Sequence, residues 1–308
     1  MRLSVTIPVL DEQDVLPELL RRVCAVLDAV PGGPHEVLLV DDGSTDGTRH
    51  LLVAASAADR RVRSIFLSRN FGHQAAITAG LDHVTGDLIV VMDGDLQDRP
   101  EDIPGLLAMQ AGGYDVVYAV RTLRKERVVI RACYYLFYRL MTRFSRIQVP
   151  RDAGDFAVIT RRVLDAMRSA PERNRYLRGL RAWAGFRQCA VPVERAERAG
   201  GTSKYSYRAL IRLALDGLFA FSTIPIRAAM FLGACGVGAA ILYAVWAVYQ
   251  RLFMQRSPQG FTAIIVIVTF LSGMNLFFMG VIGEYVGRVY EEVKARPLYV
   301  IDRIVGGV

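Results

Sequence analysis

Val90–Asp98 reads VVMDGDLQD. The apolar run Leu88–Met92 ends in Asp93 and Asp95 with one glycine between them, and Asp98 follows. No lysine or arginine stands beside them until Arg99. Acids in that position are either a solvated loop or the protein half of a site that a cation completes. In an extended segment, residues i and i+2 point to the same side. Asp93 and Asp95 can then face one divalent ion, with Gly94 allowing a ligand to come close. Mg²⁺ and Mn²⁺ are hard cations that take carboxylate oxygens and fill the rest of their shell with water and phosphate. A bare DxD is common by chance. At the end of a buried strand, with DDGSTD upstream, it carries more weight.

Outward from this stretch, short apolar segments alternate with amphipathic ones. Strands are expected at Leu3–Pro8, Glu36–Val40, Val62–Leu67, Leu88–Met92 and Val116–Ala119. Helical period is expected over Glu12–Ala29, Asp46–Ala58, Gly72–Val84 and Ile103–Gln110. Alternating βα units imply an α/β domain with a mostly parallel, Rossmann-like sheet. Such sheets bind ligands beyond the carboxyl ends of their strands. The polar clusters LDEQ, DDGSTDGT and DGDLQD all fall there, which favours one shared site over three solvated loops. A nicotinamide-type domain wants GxGxxG after the first strand, and this chain has PVLDEQD there. A P-loop is absent as well.

The mean hydropathy of +0.26 is high for a soluble protein. Two uncharged runs carry the excess, Ala228–Tyr249 and Phe261–Gly283. Each is long enough to cross a hydrocarbon core of about 30 Å at about 1.5 Å per residue. Buried core helices are the alternative, but helices of that length rarely lack any charge. The N-terminus MRLSVTIPVLDEQ lacks the features of a signal peptide. The first domain is therefore expected in the cytoplasm, and two spans return the C-terminus there. Flanking Arg208, Arg212, Arg227, Arg288, Lys294, Arg296 and Arg303, against Arg251 and Arg256 between the spans, agree with that orientation. The four cysteines have no CxxC spacing and read as reduced packing residues. The net charge of +8 on such a chain points to anionic lipid or phosphate partners, with no nucleic acid expected.

The segments IPVLDEQ, VDDGSTDGT, GHQAAITAGLDHVTGD, VMDGDLQDRPE, AGDFAVITRR, RGLRAWAGFRQ and ERAGGTSKYSY resemble the inverting polyprenyl-phosphate glycosyltransferases of family 2, which have the GT-A fold. That group includes dolichol-phosphate mannose synthases, undecaprenyl-phosphate glucosyltransferases and aminoarabinose-lipid transferases. The resemblance runs from Ser4 to about Tyr299. It implies transfer of a sugar, UDP-glucose first among candidates, from a nucleotide diphosphate to polyprenyl phosphate at the cytoplasmic (inner) membrane. It also implies a divalent ion, Mg²⁺ or Mn²⁺. By the resemblance, Pro8, Asp11, Glu12, Asp41 and Asp42 border the nucleotide, Asp93 and Asp95 hold metal and diphosphate, and Gln97 lies near the sugar. Asp155 lies on the acceptor side as the catalytic candidate, and Arg198, Ser203 and Lys204 close over phosphates. The family reads NE where this chain has Asp11-Glu12. A processive synthase is the nearest rival, but RGLRAW is not the QxxRW of those enzymes. The organisation implied is a catalytic domain over 1–207, a juxtamembrane helix over 208–226, two spans within 227–285 and a cytoplasmic tail over 286–308.

The residues allow plainer roles beside these. Asp41 and Asp42 can form an Asx-turn, and Asp46 can cap the following helix. Arg198 and Lys204 can be solvated loop charges. His73 reads as a helix-cap or core residue before it reads as a base. Asp155 raises a chemical question, because a lipid phosphate monoester has a second pKa of about 6 and is largely dianionic at neutral pH. Such an acceptor needs positioning more than deprotonation. Arg208–Ser222, with one narrow polar stripe, suits the membrane interface. Arg127–Arg146 mixes basic and aromatic residues, and an interfacial or a sheet-packed helix fits it equally. Ala234/Gly238 and Gly283/Gly287 permit close packing of spans within the chain or in a homo-oligomer.

Overall fold

The computed structural model describes residues 1–121, 153–170, 172, 175–193, 224–253 and 260–307. The sheet begins with β1 (Leu3–Val9), β2 (Glu36–Asp41), β3 (Val62–Leu67) and β4 (Leu88–Val91). Between them lie α1 (Leu16–Ala29), α2 (Thr48–Ala58) and α3 (His73–His83). A short 3₁₀ turn, Pro100–Asp102, leads into α4 (Ile103–Ala111) and β5 (Val116–Arg121). Then come β6 (Ala153–Thr160), α5 (Arg161–Ser169), α6 (Leu177–Trp183) and β7 (Gln188–Val193). Two long helices follow, α7 (Ile224–Phe253) and α8 (Phe261–Lys294), and the chain ends in β8 (Ile301–Val305).

The eight strands lie in the order β7-β5-β6-β4-β1-β2-β3-β8. β1 pairs in parallel with β2 and β4, β2 with β3, and β5 with β7. β6 runs antiparallel to β4 and β5, and β8 antiparallel to β3. Every residue of β1 is buried, as a central parallel strand requires. Strand period still sorts those residues. Leu88 and Val90 join a core with Leu16, Leu19 and Leu106, while Ile89 and Val91 join one with Ile77 and Leu164 on the other face. Of the two polar residues in β1, Ser4 and Thr6, the second has its reason in packing. A Cβ on Gly80 of α3 would stand 2.0 Å from Thr6 Oγ1, so the glycine lets α3 lie directly on the strand. The carbonyls at the C-terminal end of α3 lack helical partners. Arg161 donates to Val84 O of the C-cap (3.2 Å) and Arg168 to Leu81 O (3.0 Å) there.

The five expected strands and four expected helices form, with shifted ends. The largest shift is at α1, which starts at Leu16 because Asp11 takes a left-handed backbone (φ 54°) that delays the helix. β6, β7 and β8 go beyond the expectation. The tail placed at 286–308 instead holds the end of α8 and then β8, which extends the sheet at β3. Residues 296–307 thus belong with the sheet, and α7 with α8 forms a separate unit. Among the described residues, these two helices are long and apolar enough to cross a membrane. Gly233 faces Phe278 and Gly236 faces Met274, each near enough that a Cβ on the glycine would stand 3.8 Å away. A Cβ at Gly238, Gly283 or Gly287 would meet nothing, so the expected small-residue pairs do not mediate the contact between the two helices. Cys24, Cys189 and Cys235 are free thiols, and Cys133 lies outside the described residues.

Candidate active site

The turn after β1 and the loop after β2 are tied together by hydrogen bonds. The Asp11 N–H donates to Ser44 Oγ (3.0 Å), and Asp11 Oδ1 accepts from the Thr45 N–H (2.7 Å). The Glu12 N–H donates to Thr48 Oγ1 (2.9 Å), and Gln13 Oε1 accepts from the Gly47 N–H (2.8 Å). Gly47 is the N-cap residue of α2, and Asp46 just before it accepts the first helical N–H, of Thr48, at 2.9 Å. Asp41 is fully buried. It accepts from the Ser44 N–H (3.1 Å) and from Arg49 Nε (2.8 Å), so the turn reading holds for it. Asp42 reaches the other way and accepts the N–H groups of Phe71 (2.7 Å) and Gly72 (2.9 Å) at the start of α3. Burial pushes its carboxyl up in spite of those two donors.

β4 ends at Val91, before the DGD stretch, which is a turn and not an extended segment. Asp95 Oδ1 accepts from the Gln97 N–H (3.0 Å), and Asp98 Oδ2 accepts from the Asp93 N–H (3.3 Å). Leu96 between them has φ 58°. Gly94 is needed for β1 more than for a ligand. A Cβ there would press on the Pro8 carbonyl at 3.0 Å and on Val9 at 3.1 Å. Pro8 is itself buried in β1. Among the described residues no three histidine, cysteine or acidic side chains converge as a metal site. Asp93 and Asp95 offer a pair of hard carboxylates, which fits an ion that takes its other ligands from phosphate and water.

Because β6 runs antiparallel to β4, its first residues lie at the carboxyl end of β4. That brings Asp155 to the edge that carries Asp93. Asp155 is 8% exposed and receives a two-pronged contact from Arg178 of α6. Arg178 Nε donates to Oδ1 (2.8 Å) and Nη2 to Oδ2 (2.7 Å). His73, the first residue of α3, stands between the two sides. Its Nε2 is 3.4 Å from Asp93 Oδ1 and 3.8 Å from Asp155 Oδ2. Burial pushes the Asp155 carboxyl up, but Arg178 and then His73 outweigh it and hold it well below the usual carboxylate range. Burial likewise pushes His73 down, and Asp155 with Asp93 reverses this, leaving its pKa above the ordinary histidine value. Arg181, one turn on from Arg178, is buried over the Tyr118 ring and donates to Gly154 O (3.2 Å). Burial draws its pKa down to about 10, with Asp155 opposing.

The sequence pattern described as Glycosyl transferase family 2 matches residues 4–168, more than half of the chain and every strand from β1 to β6. The chain is a family 2 glycosyltransferase. It is 42% identical over 304 residues to the uncharacterized glycosyltransferase YkcC of Bacillus subtilis (strain 168), covering 98% of this chain and 94% of that one. It is 34% identical over 304 residues to the bactoprenol glucosyl transferase of Shigella phage SfII, covering 98% of each. Among solved structures it is similar to glucosyl-3-phosphoglycerate synthase from Mycobacterium tuberculosis with Mn²⁺, UDP-glucose and phosphoglyceric acid. That similarity has 18% identity and TM-score 0.49, over 70% of this chain and 75% of that one.

Of the site residues expected for this glycosyltransferase, the structure gathers Pro8, Asp11, Glu12, Asp41, Asp42, Asp93, Asp95, Gln97 and Asp155 at the carboxyl ends of β1, β2 and β4 and the start of β6. Arg198, Ser203 and Lys204 lie outside the described residues, as do Arg127–Arg146 and Arg208–Ser222. His73, Arg178 and Arg181 were not expected in the site. The signals available were a polar residue at a helix start just past a buried strand, and arginines three apart in the otherwise apolar LRGLRAW.

Proposed function

We propose that this glycosyltransferase moves a sugar from a nucleotide diphosphate, UDP-glucose first among candidates, onto a polyprenyl phosphate, with inversion at the anomeric carbon. The observation that carries this reading is the extent of the likeness. Similarity to proteins named bactoprenol glucosyl transferase covers both apolar helices and the strand that follows them, not the sheet alone. The donor side consists of Asp11, Glu12, Asp41, Asp42 and Gln97 around the carboxyl ends of β1, β2 and β4, with Pro8 beneath. Asp93 and Asp95 hold a Mg²⁺ or Mn²⁺ ion, which supplies charge neutralisation for the leaving diphosphate.

On the acceptor side, Asp155 acts by orienting rather than by taking a proton. A carboxylate gripped by Arg178 and kept well below its usual range is a poor base near neutrality. A phosphate monoester with a second pKa of about 6 does not need one. Arg198, Ser203 and Lys204 are assigned to closure over the phosphates. The pairing of β8 with β3 supports two crossings with the sheet domain and C-terminal strand on one membrane face, the cytoplasmic one. A homo-oligomer is part of the same reading.

The test is turnover by the purified full chain in detergent. Labelled UDP-glucose and undecaprenyl phosphate are supplied with Mg²⁺ or Mn²⁺, and the lipid product is read by mass spectrometry. A glucosylated lipid phosphate that disappears with EDTA supports the reading. Transfer from another sugar nucleotide corrects the donor. No lipid product from any sugar nucleotide overturns the acceptor.

A further inference from the structure

His73 occupies an odd place for a histidine. It opens α3 after Gly72, whose backbone (φ 97°, ψ 155°) only glycine adopts readily. The first turn of α3 holds no acidic residue. A helix N-terminus carries partial positive charge and favours anions, so a cationic or donor side chain gains nothing from the helix there. What it meets comes from elsewhere in the sheet. Nε2 is 3.4 Å from Asp93 of the β4 turn and 3.8 Å from Asp155 of β6. The two preceding N–H groups, of Phe71 and Gly72, are donated to Asp42 after β2. Three carboxylates from three strand ends therefore converge on one helix start. Of the side chains at that start, His73 touches both the donor-side Asp93 and the acceptor-side Asp155.

We propose that His73 is a positioning residue that fixes the Asp93 carboxylate of the DGD turn and the Asp155–Arg178 pair in one arrangement, so that donor and acceptor are aligned across it. This rests on the donor and acceptor sides assigned above. Two features require it. The DGD residues sit in a turn beyond the end of β4, outside the sheet's own hydrogen bonding. Asp155 is fixed by Arg178 from α6, and while β4 and β6 are paired in the sheet, His73 is the side chain at the start of α3 that reaches from the turn beyond β4 to that ion pair. The imidazole is nearly half exposed, so its loss leaves the cores intact. Residues that orient a ligating carboxylate from behind cost about 10–100-fold in metal affinity or activity when removed.

The experiment compares His73→Ala and His73→Gln with the parent full chain in detergent. Hydrogen exchange of residues 93–98 is measured without ligand, together with kcat and the KM for UDP-glucose. The expected result is faster exchange across 93–98 in His73→Ala and a fall in kcat of about tenfold or more. KM should change little, since alignment is lost and uniform binding is kept. His73→Gln, which restores a side-chain N–H, should recover part of both effects. Unchanged exchange at 93–98, or a kcat within about twofold of the parent, overturns the proposal. So does an equal loss in kcat and KM with glutamine no better than alanine, which makes His73 part of the donor pocket alone. If the parent itself transfers nothing to the lipid, the acceptor reading has failed, and the exchange comparison still judges His73.

Discussion

On the parallel side of the sheet, Asp11 and Asp42 are fixed by N–H groups of loops that follow strands, and Asp41 by one such N–H together with Arg49. On the antiparallel side, Asp155 is fixed by the guanidinium of Arg178, from a helix more than twenty residues away. The difference is chemical as well as topological. Backbone donors hold a carboxylate at the cost of no mobile charge, and burial still pushes the Asp42 carboxyl up. Arg178 and His73 overcome burial at Asp155 and drive it the other way. One edge of the sheet thus carries acids in opposite states of readiness for a proton. The side assigned to metal and diphosphate is built mostly by loops, and the side assigned to the acceptor by an ion pair.

The sharpest way to break this division is Asp95→Asn. If the donor side works through a metal, losing one carboxylate removes several kcal/mol of charge stabilisation, about a thousandfold in turnover. Titration calorimetry with UDP-glucose should then show weaker binding with Mn²⁺ present and unchanged binding in EDTA. Equal weakening in EDTA assigns Asp95 a direct contact and removes the metal from the argument.

Arg178→Ala tests the other side. Removing one partner of a buried ion pair leaves an uncompensated carboxylate, at a cost of about 3 kcal/mol. Thermal unfolding of the sheet domain should move down accordingly, and turnover should fall about a hundredfold while affinity for UDP stays near that of the parent. Arg178→Ala combined with Asp155→Ala should restore much of the stability and none of the turnover. If the double variant is no more stable than the single, Asp155 is held by something other than Arg178.

The same division decides what could be read in advance. β1 to β4 are legible because each is a continuous apolar run bounded by turn residues, and their loops announce themselves as DEQ, DDGSTDGT and DGDLQD. β7 is half-exposed along its length and β8 carries Asp302 and Arg303, so neither shows a run that marks an edge strand. Their pairing partners, β5 and β3, are distant in sequence, and no local period encodes such a choice. The site follows the same rule. Asp93 was marked by its own neighbours and Asp155 by the family resemblance, whereas His73 and Arg178 acquire their role only when α3 and α6 are brought to the strand ends. The local reading also misjudged Gly94 and the DGD geometry, because the constraint comes from the Pro8 carbonyl on another strand.

A subtler consequence concerns pH. With its carboxyl held well below the usual range, Asp155 stays ionised from neutrality down past the ordinary aspartate value of about 3.9. The stability it contributes is present above that value and is lost only as pH falls toward its depressed pKa. Turnover between pH 5 and 8 should therefore not report Asp155. We expect kcat to rise through about pH 6 as the acceptor phosphate loses its second proton. An acceptor analogue of lower pKa should shift the inflection down, and a phosphonate of higher pKa should shift it up. His73, its pKa raised by Asp155 and Asp93 against burial, is a second ionising group at the site, but its inflection would not follow the acceptor. An inflection indifferent to the acceptor places the ionising group on the protein and reopens Asp155 or His73 as a proton carrier.

The smallest expected effect lies at the far end of α3. That helix begins at His73 in the site and ends at His83, beside the segment that leads into β8. There the Tyr299 hydroxyl donates to Asp82 Oδ2 (2.9 Å), and its ring meets His83 edge-on. Burial first, and Asp82 second, push the Tyr299 phenol well above its ordinary range, so it remains a donor throughout working pH. Tyr299→Phe keeps the ring contact and removes only the donor. Asp82 is part-exposed and water replaces the lost partner, so the cost is that of one ordinary hydrogen bond, about 1 kcal/mol. In a domain of this size that is a fall of about 2–4 °C in Tm. Turnover should be unchanged, because the helix stays fastened by Gly80 on Thr6 and by Arg161 and Arg168 on the Val84 and Leu81 carbonyls at its end. A clear loss of turnover without a matching loss of Tm would contradict this. It would mean that α3 transmits strain from the C-terminal strand to His73, and that the two sides of the sheet are coupled through the helix as well as across the site.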